Sequence, residues 1–371
     1  MRRLLDDGHE VVLVDRAPRF SMGLRKLWEL VGIDTIEAGS RTRGALAAHG
    51  IDFRQGEVEA IDAGARSARV GGETLEADFL VVALGAEARP DLVTGLSEHA
   101  HDLWERARVP AARAALESLE GGLVAVVIAG APYPCPPAPF ECALLVDEWL
   151  RRHGLRDRTE VVVCTFQPML LPNAGSEGSA WLAARLDERG IEHHAGRRVV
   201  RFEPGTVVFA DGELEADVLI GVPPHKPPAV AAEAGLVAES GWIRVDSRTL
   251  ATGHEGVYAV GDVTLIELAN GLPLPKAGVI AEAEGKRVAA AIAATLRGEK
   301  QPDEFDGQGM CFIEFGAGEA ALVEGRFFAE PEPQVSLRGP APEHARAKRS
   351  FESERLEAWF SRGGQSLEAS R

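Results

Sequence analysis

The chain has 371 residues, 45% hydrophobic and 26% charged. This balance supplies a large core, excludes wholesale disorder and, at roughly 150 residues per domain, predicts two or three domains. Against 40 Lys and Arg stand 57 Asp and Glu, a net charge of −17, which disfavours a nucleic-acid backbone as partner. The four cysteines are too few for a disulfide framework and no Cys or His spacing matches a zinc site, so no metal is expected and the cytosol fits best.

The opening MRRLLDDGHEVVLVDR lacks the apolar stretch and cleavage site of a signal peptide. It reads as the end of a helix stopped by Gly8, then a strand from Glu10 to Val14 ending in Asp15. An acid at that strand end can accept hydrogen bonds from the ribose of a dinucleotide, although a surface Asp closing a strand is the plainer reading. A doubly wound domain puts an apolar strand and a Gly-rich turn just upstream, and the chain holds neither. The reading frame is therefore expected to extend beyond Met1 and encode both.

Further strands are predicted at Phe79 to Leu84, Leu123 to Ile128, Glu160 to Phe166, Val218 to Val222 and Gly256 to Val260. Helices are predicted at Phe140 to His153, Ser179 to Arg189, Ala277 to Leu296 and His344 to Phe360. Alternation of the two makes the class α/β with mostly parallel sheets and two Rossmann-like units. An internal echo, GETLEADFLVVALGAEARP against GELEADVLIGVPPHKPP, supports the duplication. The first unit is read as 1–110 with 241–298, the second as 111–240, and 299–371 as a carboxy-terminal segment. Within that segment PEPQVSLRGPAPE is barred from helix and from a central strand by its prolines. No run of about 18 apolar residues could span a bilayer. Phe351, Trp359 and Phe360 of the last helix are read as docking on the body, because Glu352, Glu354 and Glu357 oppose anionic lipid.

Four places carry chemistry. Besides Asp15, TGHEGVYAVGDV sets Gly261 and Asp262 at a strand end, where Gly admits close backbone approach and the carboxylate can hold a sugar-alcohol chain. VVALGAEARP presents Ala83 and Gly85 in the same way. The fourth, GAPYPCPPAPFECALLVDEWLRRHG, puts five prolines where a phosphate-binding turn would sit, and proline has no N–H to offer a pyrophosphate. A nicotinamide donor is therefore not expected. Cys135 stands there instead, just before a helix start that would lower its thiol pKa.

The GD segment, with PKAGVIAEAEGKRVAAAI after it, resembles the carboxy-terminal FAD-binding motif of the flavoproteins with two dinucleotide-binding domains. VVALGAEARP resembles their ATGA turn, with Leu84 in place of Thr. The resemblance implies that Asp262 holds the ribityl chain and that the helix start at Ala277 and Gly278, with the charge of Lys276, faces the flavin pyrimidine edge. CPPAPFE together with GQGMCFIEFG is similar to the sulfide:quinone reductase and flavocytochrome c sulfide dehydrogenase group, which implies that Cys135 and Cys311 form a redox pair. A sulfur nucleophile would open their disulfide, two electrons would pass to the flavin, and a quinone would take them up. Glu141 would move protons if burial raised its pKa, or merely favour a helix start. Partners implied are a small sulfur substrate, a quinone and at most a peripheral membrane face, with a homodimer left open. Two alternatives stand: an NADH:quinone reductase of the same fold, and a non-catalytic member that has lost FAD. Cys142 and Cys164 read as small core hydrophobes; His193 and His194 as solvated, His254 as a turn residue, and His225 as a candidate for a proton or quinone role.

Overall fold

The computed structural model describes residues 4, 5 and 7–361. The helix end read before Gly8 falls largely on residues 1–3 and 6, outside the described residues, and Gly8 turns the chain with φ of +82°. The first elements are β1 (Val11–Asp15), α1 (Arg25–Leu30) and β2 (Ile51–Gln55), followed by an antiparallel meander, β3 (Val58–Asp62), β4 (Ser67–Val70) and β5 (Glu73–Glu76), and then β6 (Leu80–Val82). Next come β7 (His101–Asp102), α2 (Val109–Glu117), β8 (Gly122–Ile128), α3 (Ala138–Arg152), β9 (Thr159–Thr165), α4 (Gly175–Glu188) and β10 (Glu192–His194). A second meander, β11 (Val199–Glu203), β12 (Thr206–Phe209) and β13 (Gly212–Glu215), leads into β14 (Val218–Val222). The chain closes with β15 (Val257–Ala259), α5 (Gly278–Arg297), the antiparallel β16 (Gln308–Gly316), β17 (Glu319–Arg326) and β18 (Gln334–Ala341), and α6 (Pro342–Phe360).

The internal echo is thus a repeated unit: a three-stranded meander feeding an apolar strand, β3–β5 into β6 and β11–β13 into β14. The main sheet runs β7-β14-β8-β9-β10, all parallel. Side chains alternate between its faces with period two. Val124, Val126, Ile128, Val161 and Val163 join the core under α2, α3 and α4, while Ala125, Val127, Val162 and Cys164 meet Phe202, Val207 and Phe209 of the second meander. With both faces covered, the strands read as unbroken apolar runs, which made them legible.

Outside the main sheet lie two parallel pairs, β1 with β2 and β6 with β15. Among the described residues the pairs are not joined into one sheet, and Val12 and Val81 are 48% and 40% exposed. Arg16 donates to Glu87 at 2.8 Å, tying the carboxyl end of β1 to the segment after β6. The strands expected at Phe79 to Leu84 and Gly256 to Val260 are shorter, pairing with each other over three residues, while Tyr258 also bridges Ala251.

Helix α3 is buried on every side, from Pro139 to Leu150 with only Glu148 partly exposed, because the main sheet covers one flank and the β16–β18 sheet the other. This stacking carries β16 over the start of α3. The Pro-rich stretch forms β18, an edge strand, where Pro340 needs no ladder partner on its open side. Helix α6 docks on the body: the Phe20 ring meets Trp359 at 5.6 Å and Phe360 at 5.7 Å. Glu352, read as one of the acids opposing anionic lipid, is 3% exposed and binds Arg25 through two bonds of 2.6 Å.

Candidate active site

Prolines shape the turn before α3. Pro137 caps the helix and Pro139 fits its first turn, where no amide is required. Between them and the strand, Cys135 adopts φ of +58°, a left-handed conformation that costs a non-glycine residue roughly 1–3 kcal/mol. Two bonds hold it there: its amide donates to the Lys276 carbonyl at 2.6 Å, and its carbonyl accepts from the Ala138 amide at 2.8 Å.

From β16, Cys311 reaches the same point, and the two side chains hydrogen-bond each other. All four cysteines are free thiols. Cys135 and Cys311 are part-exposed and line a cavity of about 60 Å³ together with Pro136, Leu171, Ala277 and Met310. The mutual bond pushes the Cys135 thiol up, with burial adding to it, and pulls Cys311 down, aided by Lys348. The helix start was expected to make Cys135 the thiolate. Its neighbour Cys311 and burial push the Cys135 thiol the other way, and of the pair it is Cys311 that is lowered. Cys142 and Cys164 are 1% and 0% exposed, in the core.

Beside the pair lies a buried charge cluster. Lys348 of α6 bonds to Glu141 of α3 and, at 3.0 Å, to Glu314 of β16, whose other partner is the Trp28 indole N–H at 2.7 Å. All three charged groups are 4% exposed. Burial raises Glu141 against the pull of Lys348, while for Lys348 burial is outweighed by the two carboxylates and its pKa rises. Glu141 is therefore a buried, ion-paired acid acting on both sulfurs, and not only a first-turn acid.

On the other side of Lys276 lie the residues read as cofactor-binding. Pairing of β6 with β15, continued by the Val260 amide donating to Val82 at 3.0 Å, sets Ala83 and Gly85 beside Gly261 and Asp262 at one strand end. Gly85 (φ +69°) has open space where a side chain would stand. Gly261 (φ +74°) has Ala281 only 3.2 Å from that position. Burial raises Asp262. Helix α5 starts at Gly278 with Ala277 as cap, and no side chain caps it, so its first amides are available to an acceptor. Room at the glycines, a carboxyl and an uncapped 20-residue helix fit the ribityl and pyrimidine portion of a flavin dinucleotide. Asp15, at the end of β1, already holds Arg43 at 2.7 Å and the Ala17 amide at 2.8 Å, which leaves acceptor capacity on its two oxygens. Lys276, read as adding charge at the helix start, sends its ammonium behind the turn to the carbonyls of Asp262 (2.8 Å) and Thr264 (2.7 Å) and over the Trp242 ring at 3.7 Å. Burial lowers its pKa to about 8.

The turn between β8 and α3 is closed to a pyrophosphate. The Ala129 amide donates to Val222, that of Cys135 to Lys276 and that of Ala138 to Cys135, and Pro132, Pro134, Pro136 and Pro137 have none, so no three consecutive amides are free. His225 is 4% exposed, its Nδ1 bonded to the Pro223 carbonyl at 3.1 Å, and burial lowers it to about 4. His193 lies near Asp187 at 3.2 Å. Among the described residues no group of three or more His, Cys, Asp or Glu could hold a metal ion, and no helix is long and apolar enough to cross a membrane.

Lys348, Glu314, Arg25 and Glu284 escaped the sequence reading. One signal existed: Ala345, Lys348, Glu352 and Leu356 fall on one face of α6 at helical spacing, and that face is buried. Two of its four residues are charged, so a search for apolar periodicity passes over it.

A family model described as "Pyridine nucleotide-disulphide oxidoreductase" matches residues 1–293. The Type II NADH:quinone oxidoreductase of Staphylococcus haemolyticus (strain JCSC1435) is 25% identical over 269 residues, 68% of this chain and 67% of that protein. The sulfide:quinone oxidoreductase of Aquifex aeolicus superposes with a TM-score of 0.87 at 22% identity, over 99% of this chain and 89% of that one. An NAD-dependent persulfide reductase from A. fulgidus superposes with a TM-score of 0.66 at 20% identity, over 87% and 61%. With the parallel sheets, the paired thiols and the GD turn in place, the chain belongs to the pyridine nucleotide-disulphide oxidoreductase family.

Proposed function

We propose that the protein is an FAD-dependent oxidoreductase that takes two electrons from a small sulfur nucleophile through Cys135 and Cys311 and delivers them to a quinone. The observation that carries the reading is the hydrogen bond between two thiols 176 residues apart in sequence, in a cavity that also touches Ala277 at the start of α5. Residues 1–110 with 241–298 would hold the cofactor, through Asp15, Ala83, Gly85, Gly261, Asp262, Lys276, Ala277 and Gly278. When bound, the flavin supplies a two-electron acceptor able to pass electrons on to a quinone.

The chain's own residues do the rest. In the oxidised pair a hydrosulfide attacks one sulfur, the S–S bond breaks, a persulfide forms on one cysteine and the other leaves as thiolate. Cys311 is the better leaving group because the charge of Lys348 favours its thiolate. Glu141, held by Lys348 beside both sulfurs, takes up or returns a proton there.

Anaerobic addition of sulfide to the FAD-loaded protein should bleach the flavin, and a soluble quinone should restore its colour. Flavin that sulfide leaves unbleached overturns this reading. An NADH:quinone reductase is the second reading, favoured by the named Staphylococcus relative; the engaged and proline-blocked amides after β8 count against it, and bleaching by NADH but not sulfide would establish it.

A further inference from the structure

The molecule holds a second buried acid next to the GD turn that the proposed chemistry does not use. Glu284, on the inner face of α5, is 2% exposed. Its Oε2 accepts from the Gly261 amide at 2.5 Å, so it grips the backbone that presents Asp262. The charged groups acting on it are Asp262, in the turn it holds, and Lys276, in the approach to α5. On its own helix Glu282 is turned away, toward Lys286 and Arg355. The buried Glu284 and the part-buried Asp262 thus lie in the field of one ammonium, which is itself committed to the carbonyls of Asp262 and Thr264. In a low-dielectric site such a set carries one proton more readily than none.

We propose that Glu284 is a titrating positioning residue for the cofactor turn: with its proton on it leaves Asp262 ionised to accept from a ribityl hydroxyl, and on losing the proton it weakens that binding. Glu284 is the acid that keeps the proton, since burial, with repulsion from Asp262 behind it, raises it to about 7. By linkage, a bound flavin dinucleotide holds the proton on Glu284 more firmly. The inference rests on the flavin reading given above and adds a pH-dependent grip to it.

The test is the dissociation constant of FAD, measured by flavin fluorescence at pH 6 and pH 8 on the chain and on Glu284→Gln, which keeps an acceptor for Gly261 but cannot ionise. The chain should bind roughly tenfold more weakly at pH 8 than at pH 6, as follows for a required proton with a pKa near 7. Glu284→Gln should bind equally at both. Asp262→Asn, which removes the repulsion, should bind more weakly but also equally at both, and serves if the first variant fails to fold. Equal pH dependence in the chain and in either folded variant overturns the inference and leaves the flavin reading standing. Absence of FAD binding at every pH overturns the flavin reading and this inference with it.

Discussion

The amide of Cys135 donates to the carbonyl of Lys276 across 2.6 Å, and this bond joins the cysteine turn ahead of α3 to the segment entering α5. The ammonium of the same Lys276 bonds to the Asp262 carbonyl at 2.8 Å. One residue therefore stands between the sulfur pair and the turn read as holding the cofactor. It also holds Cys135 in its left-handed conformation, so the position of the thiol and that of the helix start are set together.

The order in which the cysteines react follows from their opposite shifts. Iodoacetamide at pH 7–8 should modify Cys311 ahead of Cys135, because the bond from Cys135 lowers Cys311 and only the thiolate is nucleophilic. Cys142 and Cys164 should stay unmodified in the native protein. Cys135→Ala, which removes the donor, should slow Cys311 labelling at neutral pH. Peptide mapping over time reads each step.

Lys348→Met would leave Glu141 and Glu314 buried together without a cation. Breaking a buried ion network from one side costs about 3–5 kcal/mol, so the denaturant midpoint should fall accordingly. The pH profile of Cys311 labelling should move upward, since Lys348 favours its thiolate. Adding Glu141→Gln should recover part of the stability by removing one of the two charges.

The two bonds between Arg25 and Glu352 tie α1 to α6. Glu352→Ala leaves Arg25 buried with Asp34, at 3.0 Å, as its remaining carboxylate, and should cost about 2–4 kcal/mol. Limited proteolysis should then cut within α6 before any other element. Equal protection of α6 in the variant would show that the Phe20 contacts with Trp359 and Phe360 suffice.

His225 sets a pH window. Its folded pKa, about 4 through burial, lies below the ordinary 6.5, so between these values the unfolded chain binds the extra proton and stability is lost as pH falls from 6.5 to 4. A shift of this size corresponds to about 3 kcal/mol. His225→Asn should flatten that part of the stability curve, measured by urea denaturation at pH 7 and pH 4.5.

Much of the fold was legible because the main sheet is covered on both faces: β8, β9 and β14 read as apolar runs, and β14 was placed at its observed ends. The cysteine turn was legible through its prolines, which announce both a missing phosphate cradle and a helix start. What stayed hidden was charge buried in the core. Lys348, Glu314 and Glu352 look like surface residues in sequence, and only the packing of β16–β18 and α6 on the body buries them, Lys348 beside the sulfurs and Glu352 against Arg25. The direction of the Cys135 shift was missed for the same reason, since its cause is Cys311, 176 residues away in sequence.

The central claim is that Cys135 and Cys311 act as one redox pair, and mild oxidation with diamide followed by peptide mapping under non-reducing conditions tests it most directly. The account predicts a single Cys135–Cys311 disulfide, opened by sulfide to a persulfide on one of the two. Cysteines that stay separately alkylatable after oxidation, or a disulfide formed with Cys142 or Cys164, would contradict it.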